Sequence, residues 1–233
     1  GQGGPVTGGG GPGGAGGPEL SPRPGAEPPE WFSAFLAAID GVRGTELSRF
    51  TPPPDTETRS SAVLILFADG PGGPDVLLIE RAADMRSHAG QPAFPGGGVD
   101  PEDDGPVAAA LREAQEETGL DPAGVQVARV LPDLWLPPSG YSVTPVIAFW
   151  RSPAPVWAAD PREVARAERI PVADLVDPAN RVTVVHPSGY RGPGFDVADM
   201  LVWGFTAGLL DRLFDLAGWS VPWPAGREVE ISW

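Results

Sequence analysis

The fold of this chain is decided by residues 96–120, which read GGGVDPEDDGPVAAALREAQEETGL. Three consecutive glycines precede a segment in which apolar residues recur at helical spacing, namely Val107, Ala110, Leu111 and Ala114. This pattern predicts a glycine loop that leads into a short helix with one core-facing side. Gly119 is suited to end the helix as a left-handed C-terminal cap, and Asp103 or Asp104 to begin it as the N-cap.

The predicted helix carries three carboxylates opposite its apolar residues. At about 100° per residue, Glu113, Glu116 and Glu117 fall within one arc. Like charges at this spacing destabilise a helix by roughly 0.2–0.5 kcal/mol per pair, and carboxylates in the last turns also oppose the helix dipole. A bound cation would compensate for both effects, and carboxylate oxygens favour a hard ion, Mg²⁺ or Mn²⁺. From charge alone, the alternative is a solvated acidic face on an acidic protein.

Loop and helix together resemble the box of the Nudix family. That box reads Gly, five residues, Glu, seven residues, Arg-Glu, an aliphatic residue, any residue, Glu-Glu, any residue, Gly and an aliphatic residue. The chain fills the second half with Arg112, Glu113, Ala114, Glu116, Glu117, Gly119 and Leu120. In the first half, an aspartate replaces the first Glu. Counting from Gly98 makes this residue Asp104, whereas counting from Gly97 makes it Asp103.

The resemblance implies a fold and a metal site. We expect an α/β (α+β) fold in which a mixed β-sheet lies between helices. We expect Mg²⁺ or Mn²⁺ to be the cofactor, with Glu113 and Glu117 as principal ligands and Glu116 as a further ligand or helper. A backbone carbonyl near Gly97 is expected to complete the coordination, because only glycine lets the backbone approach so closely.

The same resemblance implies catalytic roles within the box. Glu116, Glu117 and Arg112 are the expected catalytic residues, and Arg112 is expected to hold a carboxylate in place rather than contact the substrate. The general base is left open between a glutamate of the box and a loop acid, Glu163 or Glu168.

A second motif lies upstream of the box. Residues 77–82 read LLIERA, and they are followed by Arg86, Gly90, Phe94, Pro95, Gly96 and Gly97. This motif, which we call the upstream signature, resembles that of the coenzyme A pyrophosphatase branch of the Nudix hydrolases, with Ile79 in place of Thr. Residues 203–208, WGFTAG, resemble the same branch.

The upstream signature implies a substrate, coenzyme A or its thioesters, cleaved to 3′,5′-ADP and 4′-phosphopantetheine. Coenzyme A carries a 3′-phosphate besides its diphosphate, and Arg suits forked recognition of phosphate. We therefore expect Arg81 and Arg86 to bind substrate, together with Gly96 and Gly98. The alternative for each arginine is an ion pair with a nearby carboxylate. Two other functions stay open, a Nudix pyrophosphatase of the ADP-ribose or NADH type and a non-catalytic Nudix domain that senses a ligand.

The remaining sequence predicts flanking segments around one domain. Residues 1–28 are mostly Gly and Pro and are expected to be disordered. Residues 29–54 are predicted to form a helix and a linker. Residues 55–220 form the predicted Nudix domain, and residues 221–233 a C-terminal tail.

Within these segments, local patterns predict the individual elements. Strands are predicted over the β-branched and aliphatic runs 61–67, 76–81, 125–131 and 143–150, and a hairpin over 182–185 and a segment near Phe195. Helices are predicted over 29–42, 161–167 and 200–216.

Composition limits the partners. The net charge of −15, with Arg as every one of the 16 basic residues, argues against a nucleic-acid surface. It does not exclude a small phosphorylated substrate, because bound divalent ions change the local field. The chain has no cysteine, and its apolar stretches are too short to cross a bilayer. We therefore predict a cytoplasmic enzyme that acts on a small-molecule diphosphate without a membrane partner, with a homodimer as one alternative.

Overall fold

A computed structural model describes residues 25–83, 90–137 and 139–232. The helices are α1 (Glu30–Ala38), α2 (Gly44–Leu47), α3 (Gly105–Thr118), α4 (Val172–Val176) and α5 (Gly204–Ala217). The strands are β1 (Arg59–Gly70), β2 (Gly73–Arg81), β3 (Pro92–Ala93), β4 (Gly96–Gly98), β5 (Val125–Val130), β6 (Leu134–Leu136), β7 (Tyr141–Trp150), β8 (Val164–Pro171), β9 (Arg181–Val185), β10 (Arg191–Val197), β11 (Met200–Val202) and β12 (Glu228–Glu230). In this described part of the chain, every helix is too short or too polar to span a membrane.

The main sheet is mixed and lies between helices. Its strands follow the order β3-β2-β1-β7-β5, with β4 beside β1, β6 beside β7 and β8 beside β2. Strands β1 and β7 run parallel, whereas β2 and β4 run antiparallel to β1. Alternate residues of β1 face opposite sides, so that Leu64 and Leu66 pack with α3, while Ile65 and Phe67 pack with α1 and α5. The predicted mixed sheet between helices is confirmed.

A second, four-stranded sheet has the order β11-β10-β9-β12. Its central hairpin, β9 and β10, is the one predicted around Phe195. Strand β12 adds to it in parallel with β9, and Ile231 after it is buried. Part of the predicted C-terminal tail is therefore a strand of this sheet.

Two predicted helices differ from the structure. Residues 164–171 form strand β8 where a helix was predicted over 161–167, and this strand pairs with β2 along its length. Its Arg166 side chain donates to Glu80 of β2 at 2.6 Å. Pairing with a distant strand has overridden a weak local helix pattern.

The helix predicted over 200–216 starts later. Residues 200–202 form β11, which returns along β10 through a turn at Ala198 and Asp199. Both turn residues have positive φ, the backbone geometry of a tight hairpin. Helix α5 then begins at Gly204 and ends at Ala217, followed by Gly218 as a left-handed cap.

The N-terminal segments contact the domain. Gly25, Ala26 and Glu27, part of the predicted disordered segment 1–28, all contact Arg151, and the Arg151–Glu27 ion pair measures 2.8 Å. Residues 1–24 lie outside the described residues. Phe32 and Phe35 of α1 are buried in the core beneath the main sheet. The helix predicted over 29–42 is thus shorter, ending at Ala38, and it packs on the domain.

Candidate active site

Strand β4 brings a glycine backbone against helix α3. It pairs with β1 through Ala62 opposite Gly97 and Val63 opposite Gly96. A Cβ atom at Gly97 would lie 2.6 Å from the Glu113 carboxylate, and one at Gly96 would overlap the backbone of Ala62 and Val63. The backbone contact excludes any side chain at Gly96, and a side chain at Gly97 would displace the Glu113 carboxylate.

Helix α3 has the ends and the buried side that its sequence predicts. Gly119 caps it with φ of 70°, in the left-handed region. Asp104 is the N-cap residue, but its side chain makes no capping hydrogen bond. The small side chains of Ala109, Ala110 and Ala114 are buried against the sheet. These alanines let the helix approach the sheet closely, which brings its carboxylates near β4.

Glu117 is the most buried carboxylate of the box. It is 2% exposed, and its Oε2 accepts a hydrogen bond from the Gly96 N–H at 3.0 Å. Burial and, to a smaller extent, the charge of Glu113 raise the pKa of Glu117 to about 8, against the Gly96 hydrogen bond and the charge of Arg81. The fold therefore holds this carboxyl where ionisation is costly.

Glu113 lies beside Glu117 on the same side of the helix. Its side chain is 16% exposed and accepts from Arg112 Nη1 at 3.1 Å. Burial raises the pKa of Glu113, and the charges of Glu116 and Glu163 add to the shift. Glu113 and Glu117, called here the carboxylate pair, thus form a partly desolvated, mutually repelling group that faces β4.

Arg112 also binds groups in the loop that precedes the helix. Its guanidinium donates to Asp103 in a forked pair, from Nε to Oδ1 and from Nη2 to Oδ2, each at 2.8 Å. It also donates to the Gly98 carbonyl at 3.1 Å and lies 3.3 Å from Asp100. Hydrogen bonds from Arg112 lower the pKa of Asp103 to about 2. Arg112 therefore connects the loop before the helix to the helix itself.

These contacts bear on which glycine and which aspartate begin the box. Asp103 pairs with Arg112, whereas the side chain of Asp104 does not cap the helix. Gly97, six residues before Asp103, is also the glycine pressed against Glu113. The count from Gly97 to Asp103 is thus the one that agrees with the geometry.

Glu116 differs from the carboxylate pair. Its side chain is 57% exposed and lies 3.4 Å from Arg112. Across residues 25–83, 90–137 and 139–232, no three acidic or imidazole side chains converge as a ready-made metal cluster. Of the three predicted ligand side chains, the structure brings Glu113 and Glu117 together and leaves Glu116 toward solvent.

The upstream signature is folded around the end of β2. Strand β3 pairs with β2, with Ile79 opposite Ala93. The backbone of Arg81 makes two hydrogen bonds to the second half of the signature. Its carbonyl accepts from the Gly90 N–H at 3.0 Å, and its N–H donates to the Gln91 carbonyl at 3.1 Å. Arg81 is also the arginine whose charge acts on Glu117. The predicted substrate residue Arg86 lies outside the described residues.

The later motif borders the same region. A Cβ at Gly204 would lie 3.4 Å from the Gln91 side-chain nitrogen, and the Trp203 ring contacts Tyr190 with 5.7 Å between centroids. The start of the WGFTAG motif therefore lies next to Gln91, within the second half of the upstream signature, although the two are more than 100 residues apart in sequence.

Of the two loop acids, only one lies near the carboxylate pair. The charge of Glu163 raises the pKa of both Glu113 and Glu117. Glu168 lies opposite Leu78 in the β2–β8 ladder. Directly opposed residues point to the same face, and Leu78 packs in the core that contains α1 and α5, away from α3.

A segment that sequence reasoning missed crosses the end of α3. Trp157 N–H donates to the Thr118 carbonyl at 3.1 Å, and Ala159 N–H donates to the Glu117 carbonyl at 3.0 Å. No motif marks this segment, because backbone hydrogen bonds carry no residue preference. The turn formers Asp160 and Pro161 are the only local signal.

Comparisons with known proteins agree with this geometry. The NUDIX domain family model matches residues 58–190. The uncharacterized Nudix hydrolase NudL of Cronobacter sakazakii is 40% identical over 162 residues, which cover 66% of this chain and 81% of that protein. The uncharacterized Nudix hydrolase NudL of Escherichia coli K12 is 39% identical over 180 residues, covering 72% of this chain and 90% of that protein.

Among solved structures, the Nudix hydrolase RenU from M. smegmatis superposes with a TM-score of 0.50 at 25% identity, covering 69% of this chain and 86% of that chain. Fold, family model and relatives therefore agree on the family. This chain belongs to the Nudix family, and it is a Nudix pyrophosphatase, a hydrolase class that uses divalent metal ions and acts on small-molecule diphosphates.

Proposed function

We propose that this Nudix hydrolase cleaves coenzyme A or its thioesters within the diphosphate, giving 3′,5′-ADP and 4′-phosphopantetheine or its acyl form. The observation that carries this proposal is the upstream signature, whose two halves meet at Arg81 beside Glu117. This arrangement supports a phosphate-binding arginine next to the hydrolytic centre. The start of the WGFTAG motif, next to Gln91, supports the same substrate branch.

The carboxylate pair is a suitable donor set for Mg²⁺ or Mn²⁺. Both carboxyls are held where burial and the charges of neighbouring carboxylates raise their pKa values, so a cation would relieve an existing cost. The donors are all oxygen, and Mg²⁺ is commonly bound by one or two carboxylates plus waters and substrate phosphates. We assign Glu113, Glu117 and the Gly97 carbonyl as ligands, with Glu116 as a further ligand from the exposed side.

When bound, the ion neutralises phosphate oxygens and lowers the pKa of a coordinated water. The chain's own groups supply the rest. Arg81 binds phosphate oxygens of the substrate, and the side-chain-free surface at Gly96 and Gly98 lets the diphosphate approach the backbone. Gly96 N–H fixes the orientation of the Glu117 carboxylate.

Proton transfer and alignment complete the mechanism. Glu163 takes the proton from the attacking water, because it is the loop acid that lies near the carboxylate pair. Arg112 does not contact substrate in this proposal. Its donors are used by Asp103, Glu113 and the Gly98 carbonyl, so it aligns the helix with β4.

The direct test is product analysis by mass spectrometry. The protein is incubated with MgCl₂ or MnCl₂ and with coenzyme A, ADP-ribose or NADH, and Glu117→Gln serves as the inactive control. Appearance of 3′,5′-ADP and 4′-phosphopantetheine in the wild type alone supports the proposal. Cleavage of ADP-ribose or NADH without cleavage of coenzyme A would replace it with the other Nudix specificity.

Arginine variants test the substrate assignment. Arg81→Ala should raise KM for coenzyme A, and Arg86→Ala should raise KM for coenzyme A more than for its 3′-dephospho analogue. The matched control is Arg166→Ala, whose guanidinium pairs with Glu80 across β2 and β8. Equal effects of Arg86→Ala on the two substrates would remove that residue from recognition of the 3′-phosphate.

The cellular setting is part of the same proposal. The net charge of −15 opposes contact with a nucleic-acid backbone, and the absence of cysteine agrees with a cytoplasmic location. A homodimer is the alternative to a monomer, and sedimentation velocity of the active protein distinguishes the two.

A further inference from the structure

Residues 157–163, called here the strap, connect the end of helix α3 to the end of strand β2. At the helix, the N–H groups of Trp157 and Ala159 donate to the carbonyls of Thr118 and Glu117. The last carbonyls of a helix have no partner within it, so these two bonds satisfy groups that would otherwise need water. The strap is thereby attached to the residue that carries the buried carboxylate.

The other end of the strap is attached beside Arg81. Ala82 N–H donates to the Glu163 carbonyl at 2.8 Å. Between the two attachments the strap turns on Asp160, whose carbonyl accepts from Glu163 N–H at 3.0 Å and from Val164 N–H at 2.9 Å. The backbone position of Glu163 is therefore fixed from both sides.

Trp157 has an unusual environment for a large aromatic side chain. It is 55% exposed, yet a Cβ at Gly119 would overlap its indole ring. The ring thus lies directly on the backbone of the helix cap, where only glycine leaves room. Because about half of the ring stays in water, its burial stabilises the fold less than that of a core tryptophan would.

We infer that Trp157 is a positioning residue for diphosphate hydrolysis: its indole, seated on Gly119, holds the strap so that the Glu163 carboxylate stays beside Glu113 and Glu117. The inference rests on the proposed function, because it assigns Glu163 to the reaction. It differs from two other roles for Trp157, stacking on a base of the substrate and general stabilisation of the fold.

Kinetics separate these roles. Trp157→Ala should lower kcat about tenfold, with KM within about twofold, and Trp157→Phe should recover most of the loss because a ring still covers Gly119. The melting temperature should fall by less than about 10 °C, and Trp157→Phe should restore most of that fall. Phe50→Ala is the matched control, since Phe50 is also an exposed aromatic residue but lies outside the strap, and it should leave kcat unchanged.

A double-mutant cycle tests the connection to Glu163. If Trp157 acts through Glu163, adding Trp157→Ala to Glu163→Ala should lower kcat no further. Additive losses, or an effect of Trp157→Ala mainly on KM, would overturn the inference. A large drop in melting temperature that Trp157→Phe does not restore would do the same.

A measurement without catalysis keeps this inference separate from the proposed function. In Trp157→Ala, amide hydrogen exchange should become at least about tenfold faster at Ala159 and Ala82, and stay unchanged at Leu64, whose N–H bonds to the Pro95 carbonyl in the main sheet. Unchanged exchange at Ala82 would contradict the inference whatever the activity. Failure of the wild type to cleave any diphosphate would overturn the proposed function and Glu163's role, while faster exchange would still support the mechanical role of Trp157.

Discussion

The carboxylates around helix α3 lie in two opposite electrostatic environments. On one side Arg112 forms a forked ion pair with Asp103 and lowers the pKa of that carboxyl to about 2. On the other side Glu117 is buried next to Glu113, and its pKa rises to about 8. The protein supplies a forked guanidinium to Asp103, whereas Glu117 receives the N–H group of Gly96 and the charge of Arg81.

The difference separates a completed structural contact from a site prepared for a ligand. Asp103 and Arg112 satisfy each other, so that this side holds the loop against the helix. The carboxylate pair is a net cost to the fold in the absence of a cation, because desolvation and repulsion both disfavour its ionised form. A bound divalent ion and the substrate diphosphate would offset that cost. Substitutions in either environment should therefore have different effects.

The largest effect is expected from Glu117→Gln. The amide keeps the size of the side chain and an oxygen for the Gly96 N–H, but it removes the charge that a metal ion needs. Turnover should fall by about 10³-fold or more, with an unchanged circular dichroism spectrum. Steady-state kinetics at saturating Mg²⁺ provide the measurement, and near-normal turnover would exclude Glu117 from the metal site.

The raised pKa of Glu117 predicts the next effect, on stability in the absence of metal. Between pH 4.5 and about 8 the folded protein keeps a proton that the unfolded chain has released. The folded state then binds more protons, so its stability should decrease as pH rises through this window, by up to several kcal/mol. Thermal unfolding in EDTA at pH 5 to 8 measures this decrease.

The variant Glu117→Gln isolates this contribution. The folding stability of this variant should depend less on pH than that of the wild type, and the variant should be the more stable protein at pH 8 in EDTA. Added Mg²⁺ should raise the wild-type melting temperature at pH 8 and affect the variant less. Parallel pH curves for the two proteins would show that Glu117 ionises normally in the fold.

Asp103→Asn should have a smaller effect on activity. The substitution breaks the charged fork to Arg112, and loss of such a supporting contact typically lowers metal affinity or activity by about 10–100-fold. The adjacent Asp104→Asn is the matched control, because that side chain makes no capping bond, and it should stay within about twofold. If Asp104→Asn were the more harmful of the two, the box would count from Gly98 after all.

The smallest effect is expected from Glu116→Gln. This carboxylate is mostly exposed and pairs with Arg112 at the surface, so water can replace much of what it contributes. Activity should fall by about tenfold or less. A loss as large as that of Glu117→Gln, measured under the same conditions, would give Glu116 an equal share in holding the ion.

How much of the fold the sequence foretells depends on how local the pattern is. The runs that became β1, β2, β5 and β7 are apolar enough to identify strands without their partners. The sequence around strand β8 predicts a helix, because the partner of a charged residue such as Arg166 is Glu80 on the distant strand β2. A strand whose partners are more than 80 residues away leaves little trace in its own sequence.

The sequence by itself determined the helix, its left-handed cap at Gly119, and the placement of three glutamates on one arc, because helical geometry is a property of consecutive residues. Only the tertiary structure decided which of those glutamates are buried, which aspartate meets Arg112, and that Glu163 rather than Glu168 lies near the carboxylate pair. These outcomes depend on sheet register and on backbone contacts between segments far apart in the chain. Burial and electrostatic neighbours are properties of the packed fold, and residue spacing does not encode them.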